Sequence, residues 1–189
     1  MVLPPQDRLE LRWHGRGGQG AVTAAVAVAK AAVETGKYAT ASPEFGAERR
    51  GAPVRAYNRV SNKPIRTRSP ILEPDVVVVL DYSLPKEMYL AGLKDGGLIL
   101  LNTRKGLDEV RAELGGINAR IAVVNATEIS LKTLGAPIVN TAMLGALAKL
   151  VDIAPLEVFM DVITDLVPSR FIKQNIKSME LAFDSVEVV

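Results

Sequence analysis

Three apolar runs decide most of what this chain can fold into. "PDVVVVLD" at 74–81, "GGLILLNT" at 96–103 and "ARIAVVNAT" at 119–127 are built from β-branched and aliphatic residues without polar alternation. A strand with no polar face is buried on both sides, as an inner strand of a mainly parallel sheet is. Parallel strands need crossovers, and the residues between these runs are long enough to supply helices. The expectation is therefore an α/β, doubly wound, mainly parallel sheet. From Asn140 onward, "NTAMLGALAKLVD", "PLEVFMDVITDLV" and "RFIKQNIKSMELAFD" carry apolar residues at helical spacing and predict a helical C-terminal part. Asn140 or Thr141 is the N-cap candidate of the first of these helices.

The N-terminal part is read through its glycines. "LELRW" at 9–13 alternates as a strand does, and "AVTAAVAVAKAAVETG" is alanine-rich and stops at Gly36 as a helix should. Between them lies "HGRGGQGA". A second strand is expected at 38–42. "VRAYNRV" at 54–60 and "PIRTRS" at 64–69 flank "SNK" and predict an added antiparallel hairpin. On such a hairpin, period two places Arg55 with Arg59, and Arg66 with Arg68, on one face. That basic stripe is either solvated sheet surface or a docking face for an acidic partner.

With 189 residues, 48% of them hydrophobic, the chain has material for one sizeable core, and a single domain over 1–189 is expected. A formal charge of +2 argues against a nucleic-acid binder or a membrane-surface protein, so any electropositive function is local. There is no cysteine, which excludes thiolate chemistry and Cys-ligated clusters on this chain, and His14 is its single histidine. No apolar run is long enough to span a membrane, and a cytoplasmic location is the expectation.

Gly15, Gly17 and Gly20 satisfy G-x-G-x-x-G between a predicted strand and a predicted helix, where backbone amides and a helix N-terminus bind anions. Gly18 and Arg16 add a second close approach and a guanidinium suited to phosphate or carboxylate. A dinucleotide site also wants an acid closing the second strand, and here that strand ends "TASPEFG", placing Glu44 late and beyond a proline. The loop "EFGAERRGAPVR" carries Glu48, Arg49, Arg50 and Arg55 and is expected to emerge beside the glycine turn, where its arginines can grip phosphates. Alternatives stay open: a tight turn without ligand, and a solvated charged loop. His14 has no nucleophile or acid to work with, so the residues describe a place for an anion without machinery for chemistry.

In order and spacing, "WHGRGGQGAVTAA", "FGAERRGAPVRAYNRV", "KPIRTRS", "PDVVVVLD" and "NTAMLGALAK" resemble the gamma subunit of the 2-oxoacid:ferredoxin oxidoreductases, over about residues 10–150. The form G-A-E-R-x-G-A-P looks like the pyruvate branch. The resemblance implies a multi-chain enzyme that turns a 2-oxoacid, coenzyme A and oxidised ferredoxin into acyl-CoA, CO2 and reduced ferredoxin. It further implies thiamine diphosphate and iron–sulfur clusters mostly on partner subunits, no catalytic residue on this chain, and a gamma contribution to the coenzyme A site. By position in the matching motifs, Gly15, Arg16, Gly17, Gly18, Gln19 and Gly20 would face coenzyme A, Arg49 and Arg50 would hold its phosphates, and Glu48 would orient the basic loop. A stand-alone NAD-binding oxidoreductase and a purely structural assembly subunit are the alternatives.

Overall fold

The computed structural model describes residues 7–44 and 51–189. Strand β1 (Arg8–Arg16) leads through the glycine turn into helix α1 (Ala21–Glu34), followed by β2 (Tyr38–Glu44) and β3 (Pro53–Ser61). Then come β4 (Val76–Val79), α2 (Lys86–Leu90), β5 (Gly97–Asn102), α3 (Leu107–Leu114) and β6 (Ala119–Val124). Helices α4 (Ala126–Leu134), α5 (Asn140–Leu150), α6 (Leu156–Thr164) and α7 (Ile172–Ser185) follow, and β7 (Glu187–Val188) closes the chain. The strands form one sheet in the order β2-β3-β1-β4-β5-β6-β7. β1, β4, β5 and β6 run parallel, while β3 is antiparallel to both β1 and β2 and β7 is antiparallel to β6.

Each apolar run became an inner strand buried on both faces. Val76, Val78, Leu98, Leu100, Ala122 and Val124 share one core with residues of α1, α5, α6 and α7. Their neighbours Val77, Val79, Ile99, Leu101, Ile121 and Val123 pack on the other face, where α3 supplies Val110 and Leu114 and α2 supplies Tyr89. This is the double winding that non-alternating strands require. No helix among the described residues is long and apolar enough to cross a membrane.

The hairpin expected from 54–60 and 64–69 is formed differently. β3 pairs with β2 on one side and β1 on the other, and 64–69 is neither strand nor helix and lies outside the sheet. Wedged between two strands, β3 has its ladder bonds satisfied and leaves none for the following segment. The basic stripe dissolves with it: Arg59 is buried and its Nε lies 2.8 Å from Glu10 Oε1, whereas Arg66 and Arg68 are exposed.

Helix α5 also differs from expectation at its start. Asn140 and Thr141 are its first residues, Val139 precedes them, and no side chain caps the helix. Both side chains are buried: the Thr141 hydroxyl donates to Asn175 Oδ1 at 2.9 Å, and Asn140 lies under Gly20. Where α5 crosses α7, Gly145 puts bare backbone against the Met179 carbonyl, 2.1 Å from where a Cβ would stand.

On the second face β1 presents polar residues. Arg12 is 4% exposed, and its guanidinium donates to the carbonyl oxygens of Leu72, Tyr89 and Ala91, and through Nε to His14 Nε2 at 2.9 Å. His14 is completely buried, and accepting at Nε2 fixes its proton on Nδ1. Burial first, then the charges of Arg12 and Arg55, push its pKa down to about 3. Because the folded value lies below the unfolded value of about 6.5, the stabilising contribution is complete above that pH and is lost as pH falls toward 3. Over that window His14 accounts for up to about 1.4 kcal/mol of stability per pH unit. Urea unfolding followed against pH is expected to show this slope, and His14→Gln to flatten it. An unchanged slope in the variant would mean that the carboxylates alone carry the acid sensitivity.

Candidate functional site

The glycine turn is a support for exposed backbone. Gly18 (φ 95°) and Gly20 (φ 84°) adopt left-handed conformations that side chains resist. A Cβ on Gly18 would meet nothing within 4 Å, so its surface is open; one on Gly20 would lie 2.5 Å from Asn140 Nδ2, so its other side is sealed by α5. The turn therefore stands rigidly on the protein and bare toward solvent, at the N-terminus of α1.

Gln19 and Arg16 lock the turn. Gln19 Oε1 accepts the Arg16 amide at 2.6 Å, and Gln19 Nε2 donates to Asp81 Oδ2 at 3.3 Å. Arg16 Nε donates to the same carboxylate oxygen at 2.8 Å, and its terminal nitrogens reach Ser83 Oγ and the Gly51 carbonyl. Burial works to raise the Asp81 carboxyl, but the Ser83 hydroxyl and amide together with Arg16 outweigh it and hold the group below its ordinary value. Arg16 is therefore already neutralised.

A cleft of about 850 Å³ opens over the turn, lined by Gly17, Gly18 and Gln19 on one wall. The ends of β4, β5 and β6 supply most of the rest, with Asp81, Asn102, Arg104 and Thr127 among the lining residues, and Pro137, Ile138 and Val139 before α5 close it. This is the carboxyl-end crevice of the parallel strands, beside the junction of β1 and β4 where the winding changes direction. Asn102 braces its floor, donating to the Leu80 carbonyl at 2.8 Å and accepting the Thr127 amide at 3.1 Å. Lys105 is ion-paired with Glu109 and Glu113. Arg104 is exposed and, although its charge helps to keep Glu128 ionised, it makes no hydrogen bond or ion pair with another described residue, so it is the cleft's uncommitted cation among them.

Of the sequence candidates, Gly17, Gly18 and Gln19 reach the cleft wall, and Gly15, Arg16 and Gly20 support them from behind. Glu48, Arg49 and Arg50 lie outside the described residues. The chain flanking them is placed: Gly17 N–H donates to the Ala52 carbonyl at 2.9 Å, and Arg16 pairs with Pro53 in the sheet, so the segment after the loop returns against the glycine turn. Asp81, Asn102 and Arg104 were missed, although each stands at the end of an apolar run, where a parallel sheet puts its crevice.

Glu44 needs a correction. It does close β2, since the strand continues through Pro43, but β3 separates β2 from β1. An acid there cannot serve a ribose bound at the β1 turn as it does where the first two strands are neighbours. Its carboxylate is also engaged, by Arg55 at 2.9 Å and by the Tyr57 hydroxyl.

Comparison with known proteins covers nearly the whole chain. Residues 10–185 match the family model described as pyruvate ferredoxin/flavodoxin oxidoreductase. The pyruvate/ketoisovalerate oxidoreductases common subunit gamma of Thermococcus kodakarensis is 49% identical, over 95% of this chain and 98% of that protein. The solved structure of pyruvate oxidoreductase subunit PORC from Thermotoga maritima superposes with a TM-score of 0.85 at 40% identity, over 97% of this chain and 99% of that one. A 2-oxoglutarate:ferredoxin oxidoreductase from Magnetococcus marinus, solved with 2-oxoglutarate, coenzyme A and succinyl-CoA bound, shares the fold at a TM-score of 0.78 and 17% identity, over 94% of this chain and 31% of that one.

Proposed function

The chain belongs to the pyruvate ferredoxin/flavodoxin oxidoreductase family, and from that premise we propose that it serves as a gamma-type subunit whose glycine-turn crevice takes the pyrophosphate portion of coenzyme A. The complete enzyme oxidises a 2-oxoacid with loss of CO2, passes two electrons to ferredoxin and transfers the acyl group to the coenzyme A sulfur. The iron–sulfur clusters are assigned to partner subunits, since this chain has no cysteine with which to ligate a cluster, and thiamine diphosphate is assigned to them by the resemblance alone.

One observation carries the reading: an open, left-handed glycine turn at a helix N-terminus faces a cleft whose uncommitted cation among the described residues is Arg104. The Gly17 and Gln19 amides are taken by the Ala52 and Arg16 carbonyls, so the amides of Gly18, Gly20 and the first turn of α1 supply the donors to phosphate oxygens, and the missing Cβ at Gly18 lets those oxygens approach. Arg104 supplies the balancing charge, while Gln19, Arg16 and Asp81 keep the turn in place. Arg49 and Arg50 are assigned to the same phosphates from the neighbouring loop, with Glu48 orienting them.

Calorimetric titration of the assembled enzyme with coenzyme A tests this. Arg104→Gln is expected to weaken binding about tenfold or more, the scale of one charge-assisted hydrogen bond. The double variant Arg49→Ala/Arg50→Ala is expected to raise the apparent KM for coenzyme A and leave that for the 2-oxoacid in place. Unchanged affinity for coenzyme A in both variants would remove the ligand from this crevice and leave a structural subunit. The NAD-dependent alternative has lost its acidic contact to the intervening strand β3.

A further inference from the structure

The second face of the sheet is covered unevenly. α2 and α3 pack over β4, β5 and β6, but over β1 and β3 the place of a helix is taken by the segment 62–75, which has neither helix nor strand. Ungathered segments of this length inside a compact fold are usually functional. This one is tied down by buried charge: Arg59 donates to the Ser69 carbonyl at 2.6 Å, Arg12 donates to the Leu72 carbonyl, and Ile71 is 2% exposed beneath it. Gly92 makes room for the Leu72 carbonyl, 2.1 Å from where a Cβ would stand. Two buried guanidiniums thus fix the backbone of a surface strap.

What the strap displays does nothing for the monomer. Arg66 and Arg68 are exposed and make no ion pair or hydrogen bond with another described residue, and Leu72 is 76% exposed. Beside it the outer residues of β2, beginning with Tyr38 at 49% exposed, have no helix over them. Lys63 and Arg55, the neighbouring cations, already have Asp7 and Glu44. The strap starts at the end of β3 that pairs with the beginning of β1, and so lies at the opposite end of the strands from the glycine turn. A partner seated there would leave the crevice open.

We propose that the strap 62–75, through Arg66, Arg68 and Leu72, is the docking surface for an acidic, partly apolar face of another subunit of the same oxidoreductase. The proposal rests on the chain being a subunit. Two unpaired arginines and an exposed leucine on one short strap combine an interface anchor with neighbouring charge, and charge complementarity selects an acidic partner.

The test is co-assembly of the chain with the other subunits of its enzyme, followed by native mass spectrometry at low and high salt. The parent chain is expected to assemble, and more weakly as salt rises. Arg66→Glu/Arg68→Glu is expected to weaken assembly about a hundredfold, and Leu72→Ser to weaken it with its salt dependence unchanged. All three positions are exposed, so the circular dichroism and melting temperature of the isolated variants should match the parent and separate a lost surface from a lost fold. Assembly of both variants at parental affinity would overturn the strap as the interface. A self-association of the isolated chain that the same variants abolish would assign it to a second copy instead. Failure of the parent chain itself to assemble would overturn the subunit reading on which the proposal stands.

Discussion

Gly145→Ala is expected to cost about 3 kcal/mol or more of stability, although helix propensity alone favours alanine over glycine by about 1 kcal/mol. The two effects oppose each other, and geometry decides. Gly145 lies inside α5 with no unusual backbone angle, so alanine is locally an improvement. Its new methyl, however, would stand 2.1 Å from the Met179 carbonyl oxygen and 2.7 Å from the neighbouring backbone carbons of α7. Backbone cannot rotate away as a side chain can, so α7 must move, and it carries the buried Met179 and Ala182 with it. Urea midpoints of the parent and the variant measure the cost. Gly106→Ala is the control, because nothing lies within 4 Å of its added methyl and its φ of −68° suits any residue. A Gly145→Ala protein as stable as the parent would mean that the helices do not cross at backbone contact.

Arg12→Met is expected to remove about 3 kcal/mol, read as a melting temperature lower by roughly 10 °C. Methionine fills much of the volume and ends the desolvation cost of a buried charge, which works in favour of the variant. Against it, the carbonyls of Leu72, Tyr89 and Ala91 and the His14 Nε2 lose their donor together. Several unsatisfied buried acceptors outweigh one relieved cation. A second readout separates this from simple loss of packing: with the Arg12 charge gone, the His14 pKa must rise from about 3, visible in the NMR titration of its ring protons. An unmoved histidine would show that the two residues are not coupled in solution.

How far the fold was legible follows from which interactions are local. The apolar runs declared β4, β5 and β6 because burial on both faces leaves a compositional mark, and Gly36 declared the end of α1 because a left-handed turn does. The partners of β3 left no such mark. "VRAYNRV" reads equally well against the segment after it and against β1, and only the closed sheet shows that Pro53 to Ser61 pairs with Arg16 back to Arg8. The site divides the same way. The glycines were visible as glycines, but the neutralising of Arg16 by Asp81 joins residues far apart in the chain, as does the freedom of Arg104. Gly145 was invisible, since a glycine inside "MLGALAK" gives no hint that another helix crosses it.

The crossing of α5 and α7 also sets a schedule for synthesis. β1 leaves the ribosome first, yet its neighbours are β3 and β4, and the helix that backs Gly145 is not complete until Ser185. A nascent chain stalled before Met179 leaves the bare backbone of α5 at Gly145 without the helix that covers it. Helix α7 thus acts as a latch on α5: until Met179 and Ala182 have been made, the packing that closes over Gly145 cannot form.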